Sequence, residues 1–276
     1  RERTMMAGLV TPVAGGAAVL YTLGAVAHLT LFFRRGYEGL ARWSTRAAWA
    51  AHTLALLLLM VETGRAPVYS LYEVSLLLPW LLETPYVVTE IVKHNQSAGA
   101  FLTPVVAAAL VISLILPHPG EAPNLGAHPE RLVVWHVGVT LLGYFFLLVA
   151  SVAGALYLVQ DRNLRRKSFS PIYHAVPALE WLDQSVGWLV AIGFPLLTLG
   201  VTAGLTFAHR TWSAFWPADP KVLFTLLLWL TYGGYLVMRK ARQWGGRWAA
   251  WWMVAAGTAL LVNYLVINMA SGVHRF

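Results

Sequence analysis

Eight long apolar runs, roughly 7–33, 44–63, 70–92, 98–116, 132–159, 185–208, 222–238 and 248–270, leave this chain little choice of solvent. A helix needs about 20 such residues to cross the hydrocarbon of a bilayer. Of the 276 residues 58% are hydrophobic and only 12% charged, and a water-soluble domain has no interior large enough to hide that surface. In lipid every backbone N–H and C=O has to be satisfied within the protein, and runs this long without alternation read as helices. The expectation is an all-α polytopic membrane protein, a bundle of about eight transmembrane helices. No internal repeat or long linker divides it, so residues 1–276 read as a single transmembrane domain.

Charge then orients the bundle. The formal net charge is +8, but the basic residues stand in short clusters between apolar runs and do not line a groove; the partner they imply is the bilayer and not nucleic acid. Arg34, Arg35, Arg42, Arg46, Lys93, Arg162, Arg165, Arg166, Lys167, Arg239, Lys240, Arg242 and Arg247, 13 of the 20 Lys and Arg residues, fall in alternate connections. The positive-inside rule puts those connections in the cytoplasm and both termini on the outer side of a cytoplasmic membrane, crossed several times. There are no cysteines, which excludes disulfides, thiolate metal sites and a covalent haem attachment motif. No charged, short-apolar, small-residue signal pattern opens the chain, so the first helix is expected to be retained.

In this orientation the outer face collects unusual residues. The segment 208–221 contains Arg210-Thr-Trp-Ser-Ala-Phe-Trp-Pro-Ala-Asp-Pro-Lys221, in which Pro217 and Pro220 shape a connection that is not a continued helix. Trp212 and Trp216 are either an interfacial aromatic belt or a platform for a large flat ligand. His136 opens the fifth run and His274 follows the eighth, at one approximate depth with the Trp segment. Two neutral imidazoles on opposite sides of an iron macrocycle form an axial pair for haem; each alone also reads as a hydrogen-bonded interface residue. Arg131, Arg210 and Lys221 could neutralise haem propionates or serve as snorkelling anchors. Glu73, after the turn Gly64-Arg65-Ala66-Pro67, suits a carboxylate that orients a ligand histidine, or a simple partner for Arg65. His28 and His52 lie inside apolar runs toward their cytoplasmic ends, and either bracket a second haem or donate to a carbonyl or a Ser/Thr on a neighbouring helix.

Further motifs run the length of the chain: Gly64-Arg-Ala-Pro with Leu71-Tyr-Glu73, Trp135-His136 with Tyr144, Pro177-Ala-Leu-Glu180, and Ile192-Gly-Phe-Pro-Leu-Leu-Thr-Leu-Gly200. They continue through Trp212-Ser-Ala-Phe-Trp216-Pro-Ala-Asp219-Pro-Lys221, Trp229-Leu-Thr-Tyr232 and Ser271-Gly-Val-His274. Together they resemble the cytochrome c assembly protein family, haem-handling membrane proteins with a Trp-rich outward segment between two histidines, and within it the CcsA and HemX types. The resemblance implies that His136 and His274 are the axial ligands of a b-type, non-covalent haem and that Trp212 to Asp219 cradle the porphyrin. It also implies a partner membrane protein with a soluble outer domain and an apocytochrome c that brings its own thiols. The chain would then be no stand-alone enzyme but part of a cytochrome c haem lyase. Ser213, Ala218 and Val222 stand where the family segment carries Gly, Trp and an acid, and Val237 stands where CcsA-type proteins carry a membrane-embedded His. That leaves an inner ligand to His28 or His52, or points to the HemX type, a regulator reaching a cytosolic haem-biosynthesis enzyme through Arg162–His174. A b-type electron carrier built on His28 and His52 is the further alternative.

Overall fold

The computed structural model describes residues 2–31, 34, 36–68, 70–93, 96, 98–116, 130–167, 173, 176–212, 220–242 and 244–264. Each expected span becomes one helix: α1 Glu2–Thr30, α2 Glu38–Thr63, α3 Leu71–Lys93, α4 Gly99–Ile115, α5 Glu130–Arg165, α6 Leu179–Trp212, α7 Pro220–Arg242 and α8 Gly246–Val262. Among the described residues there is no strand, and α1, α2, α5, α6 and α7 are long and apolar enough to cross a membrane. The chain is an all-α polytopic membrane protein. Its helices gather into two compact units, residues 1–123 with α1–α4 and residues 124–276 with α5–α8.

In the first unit α1 lies against α2 and α4, and α3 against α2 and α4. On the α1–α2 seam a Cβ at Gly24 of α1 would meet the Ser44 and Thr45 hydroxyls of α2, and buried small residues mark both helices. Ala41, Ala48 and Ala55 recur every seven positions on α2 and are wholly buried, while Ala14, Ala17 and Ala18 line α1. Without a hydrophobic drive between helices in lipid, such seams gain their energy from close backbone approach. Between α2 and α3 the contact is polar and reciprocal. Trp49 Nε1 donates to Thr84 Oγ1 at 3.0 Å and Trp80 Nε1 to Thr53 Oγ1 at 2.9 Å. Each hydroxyl in turn donates to the carbonyl of the other tryptophan, Thr53 to Trp49 and Thr84 to Trp80. α2 ends where Gly64 takes φ 69° and returns its N–H to the Met60 carbonyl, a left-handed cap that glycine adopts without a Cβ penalty.

In the second unit α5 packs on α6 and α8, and α7 touches α6 and α8. Asp183 ties one end together. Arg239 Nη2 donates to its Oδ2 and to its backbone carbonyl, both at 2.9 Å, and the N–H of Gly246 donates to its Oδ1 at 2.8 Å. One carboxylate thereby holds the start of α6, the end of α7 and the turn into α8. Deeper in, Asn263 Nδ2 donates to the Tyr144 hydroxyl at 3.0 Å, pinning α8 to α5.

Several helices outrun the spans expected from hydropathy: α2 starts at Glu38 and not 44, α5 reaches Arg165 and not 159, α6 starts at Leu179 and not 185, α7 reaches Arg242 and not 238. Apolarity ends at those points, but the helix does not, because the charges that follow are paired along or between helices. Asp161 and Arg165 bond at i,i+4, Gln184 donates to Glu180 at the same spacing, and Arg42 pairs with Glu90 of α3 at 3.3 Å. His52 stands near the middle of α2.

Candidate functional site

α5 and α6 run antiparallel along a seam of glycines. A Cβ at Gly143 would lie 2.9 Å from the Leu197 amide nitrogen, and one at Gly193 would lie 2.9 Å from Leu147 Cγ, so the two backbones approach as only glycine permits. Further along the same seam, nearly two turns into α5, stands His136. Its Nδ1–H donates to the carbonyl of Gly200 at 2.8 Å, and its ring lies on Gly204. The carbonyl is an acceptor only, so it fixes the proton on Nδ1 and leaves the lone pair on Nε2. A ligand histidine held by its other nitrogen in this way is the usual arrangement around a protein-bound metal. Thr140, one turn deeper, donates to the His136 carbonyl at 2.6 Å.

Positive charge surrounds this end of the α5–α6 pair. Lys221, in the first turn of α7, is within electrostatic reach of His136. Arg210 is exposed in the last turn of α6. Deeper on the His136 face of α5, Tyr144 accepts from Asn263 and packs edge-on against Tyr264 with ring centroids 6.4 Å apart. Asn263 also donates to Thr225 of α7 at 3.3 Å. His274, Trp216 and Asp219 lie outside the described residues, and for Trp212 and Arg131 the backbone alone is described.

The remaining expected site residues belong to the first unit. Glu73 is 1% exposed, and Arg65 donates to both of its oxygens, at 2.9 and 3.0 Å. His52 is wholly buried; its Nε2–H donates to the Leu76 carbonyl at 2.9 Å, and its ring meets Tyr21 edge-on. His28 Nε2 faces the Tyr86 hydroxyl at 3.1 Å and Thr45 Oγ1 at 3.4 Å. Both rings thus have the neighbouring-helix carbonyl or hydroxyl partners that a structural histidine takes. Gly99 leaves just enough room for the second, since a Cβ there would come within 2.5 Å of His28 Cε1. Glu83 is also wholly buried, with Oε1 accepting from Thr103 at 2.8 Å.

Among the described residues no group of three or more His, Cys, Asp or Glu could hold a metal ion. His136 offers a single nitrogen with its tautomer set, the donor that suits an iron whose equatorial positions a macrocycle already fills. The sequence singles out His136 as a candidate but not the group its ring bonds, a main-chain carbonyl that no residue type signals. The signal available was Gly200-Val-Thr-Ala-Gly204, a Gly-x-x-x-Gly pattern that marks close helix approach.

The profile described as Cytochrome C assembly protein matches residues 68–274, about three quarters of the chain. Among curated proteins the chain is similar to the cytochrome c biogenesis protein CcsA of Guillardia theta, 28% identical over 84% of each chain. The CcsA of Synechococcus sp. (strain CC9605) is 27% identical over 97% of this chain and 96% of its own. That of Thermosynechococcus vestitus is 29% identical over 78% of this chain and 80% of its own. A match that takes in α3 to α8, with His136 and the glycine seam inside it, settles the family: the chain belongs to the cytochrome c assembly proteins.

Proposed function

We propose that this is a haem-handling membrane protein of cytochrome c biogenesis, which holds a b-type, non-covalent haem at the outer face of the cytoplasmic membrane and presents it to apocytochrome c. Haem is the cargo, and its iron offers two axial positions. His136 through Nε2 and His274 would hold the iron, Trp212, Trp216 and Asp219 would cradle the ring, and Arg131 and Arg210 would answer its propionates. Residues 1–276 act as one haem-handling domain. Glu73 contributes through Arg65, whose guanidinium it fixes, and His28 and His52 would serve haem on its way in only if their buried partners on the neighbouring helices gave way. The cysteine-free chain leaves the thiols of attachment to apocytochrome c. A partner membrane protein with a soluble outer domain completes the lyase.

The observation that carries the reading is the His136–Gly200 bond, which leaves Nε2 as the ring's only free donor atom. A second supports the pairing with His274. The Tyr144–Asn263 bond joins α5 to α8, and counted along the chain His136 stands eight residues before Tyr144 while His274 stands eleven after Asn263. Lys221, within electrostatic reach of His136, is a cation an anionic porphyrin would meet there.

The test is the visible spectrum and haem content of the detergent-purified protein, wild type against the His136→Ala/His274→Ala double variant. The expected result is a bis-imidazole spectrum in wild type that the double variant loses. Haem retained by the double variant moves the site to His28 and His52, and a wild type that takes up no haem even on reconstitution overturns the proposal.

A further inference from the structure

We infer that Gly204 is a positioning residue for His136: it seats the imidazole so that the Nδ1–H meets the Gly200 carbonyl and the Nε2 lone pair is turned away from the helix pair. The inference rests on the reading of His136 as an iron ligand, but its geometry is independent of haem. A Cβ at position 204 would stand 2.6 Å from Cε1 and 2.9 Å from Nδ1 of the ring, yet 3.4 Å from Nε2. The bare Cα of Gly204 therefore lies under the Nδ1–Cε1 edge of the imidazole, the edge that has to reach the Gly200 carbonyl, and closer to Nδ1 than to the nitrogen left for the ligand.

Two constraints meet in that arrangement. The carbonyl of Gly200 selects the tautomer, because a neutral ring can bond it only as Nδ1–H. The absence of a side chain at 204 selects the position of the ring. A methyl group there would push the ring off the seam, lengthen the Nδ1 bond and remove the preference for Nδ1–H. A neutral imidazole released into a polar environment favours the Nε2–H form, which blocks the nitrogen that has to bind iron until its proton leaves. Gly143 and Gly193 serve the same helix pair but touch Leu197 and Leu147 and not the ring, so they separate this role from helix packing in general.

The experiment compares wild type, Gly204→Ala and Gly193→Ala, each full length in detergent and labelled with ¹⁵N-histidine. His136→Gln identifies the His136 resonances. In the haem-free protein, long-range proton–nitrogen correlations report the tautomer directly. The wild type and Gly193→Ala are expected to show His136 as Nδ1–H, and Gly204→Ala to show Nε2–H or a mixture. In haemin titrations Gly204→Ala is expected to bind about 10–100-fold more weakly, the range for loss of a metal ligand's orienting contact. Added free imidazole should return its low-spin spectrum. Gly204→Ala that keeps the Nδ1–H form overturns the inference, as does a Gly193→Ala that shifts the tautomer equally. A wild type that shows Nδ1–H but binds no haemin leaves the positioning role established and overturns the haem reading alone.

Discussion

Trp49 and Trp80 stack with ring centroids 6.5 Å apart and planes 13° from parallel, each indole bonded to the threonine that follows the other by four residues. Trp49, Thr53, Trp80 and Thr84 thus form a closed ring of four hydrogen bonds across α2 and α3. Thr53→Val or Thr84→Val leaves one indole N–H without its acceptor, at a cost of about 1–3 kcal/mol each. Because the two halves share one stack, the double variant should depart from additivity by about 0.5–3 kcal/mol. Thermal unfolding in detergent of the two single variants and the double variant measures the coupling, and strict additivity would show that the halves act separately.

Glu90 is 2% exposed and is shared by two arginines, Arg46 at 2.7 Å and Arg42 at 3.3 Å. Either arginine can be lost while the other still faces the carboxylate, so Arg42→Ala and Arg46→Ala should each cost about 1 kcal/mol or less. The double variant strips both from a buried carboxylate and should cost about 3–5 kcal/mol, well above the sum. Unfolding midpoints of the three variants decide it.

Asp183 should be harder to replace than Arg239. Arg239→Ala removes the guanidinium bonds, whereas Asp183→Ala also frees the Gly246 amide at the turn between α7 and α8, where φ is 71°. The expected losses are about 1–3 kcal/mol for Arg239→Ala and about 1 kcal/mol more for Asp183→Ala. Limited proteolysis at 243–246 should rise in the second variant only.

Tyr144→Phe deletes the hydroxyl that Asn263 and α5 share and should cost about 1 kcal/mol while leaving the His136–Gly200 bond in place. In a haem-loaded sample the spectrum should then keep its shape as the unfolding midpoint falls. A changed axial-ligand spectrum would show that the Tyr144–Asn263 pin governs the iron site as well as the fold.

The helices were legible because lipid makes the pattern simple: apolar length alone locates a span, and each of the eight runs holds one helix. Their ends were less so, since Arg42 and Arg239 look like part of a loop until the partners on neighbouring helices, Glu90 and Asp183, are seen. At the site, His136 stood out as an ionisable group at the end of an apolar run. Its partner did not, because a carbonyl is present at every residue and only the approach of α6 makes the one at Gly200 available. The Arg65–Glu73 pair was legible from the short turn between them, while the Trp49–Trp80 ring, whose members come from two helices, had no sequence signature beyond two Trp-x-x-x-Thr spacings.

The orienting group for His136 belongs to the main chain, and that gives it an unusual kind of protection. Alanine at position 200 would leave the acceptor oxygen in the chain, since every amino acid brings the same one, and would act on it only by crowding Thr140 across the seam. A chemist wanting to remove it would have to weaken the carbonyl itself, for example with an ester linkage after residue 200. The proton on the His136 ring is therefore set by the polymer and not by any letter of the code at position 200, and mutation disturbs it through a change in how the ring and the two helices meet.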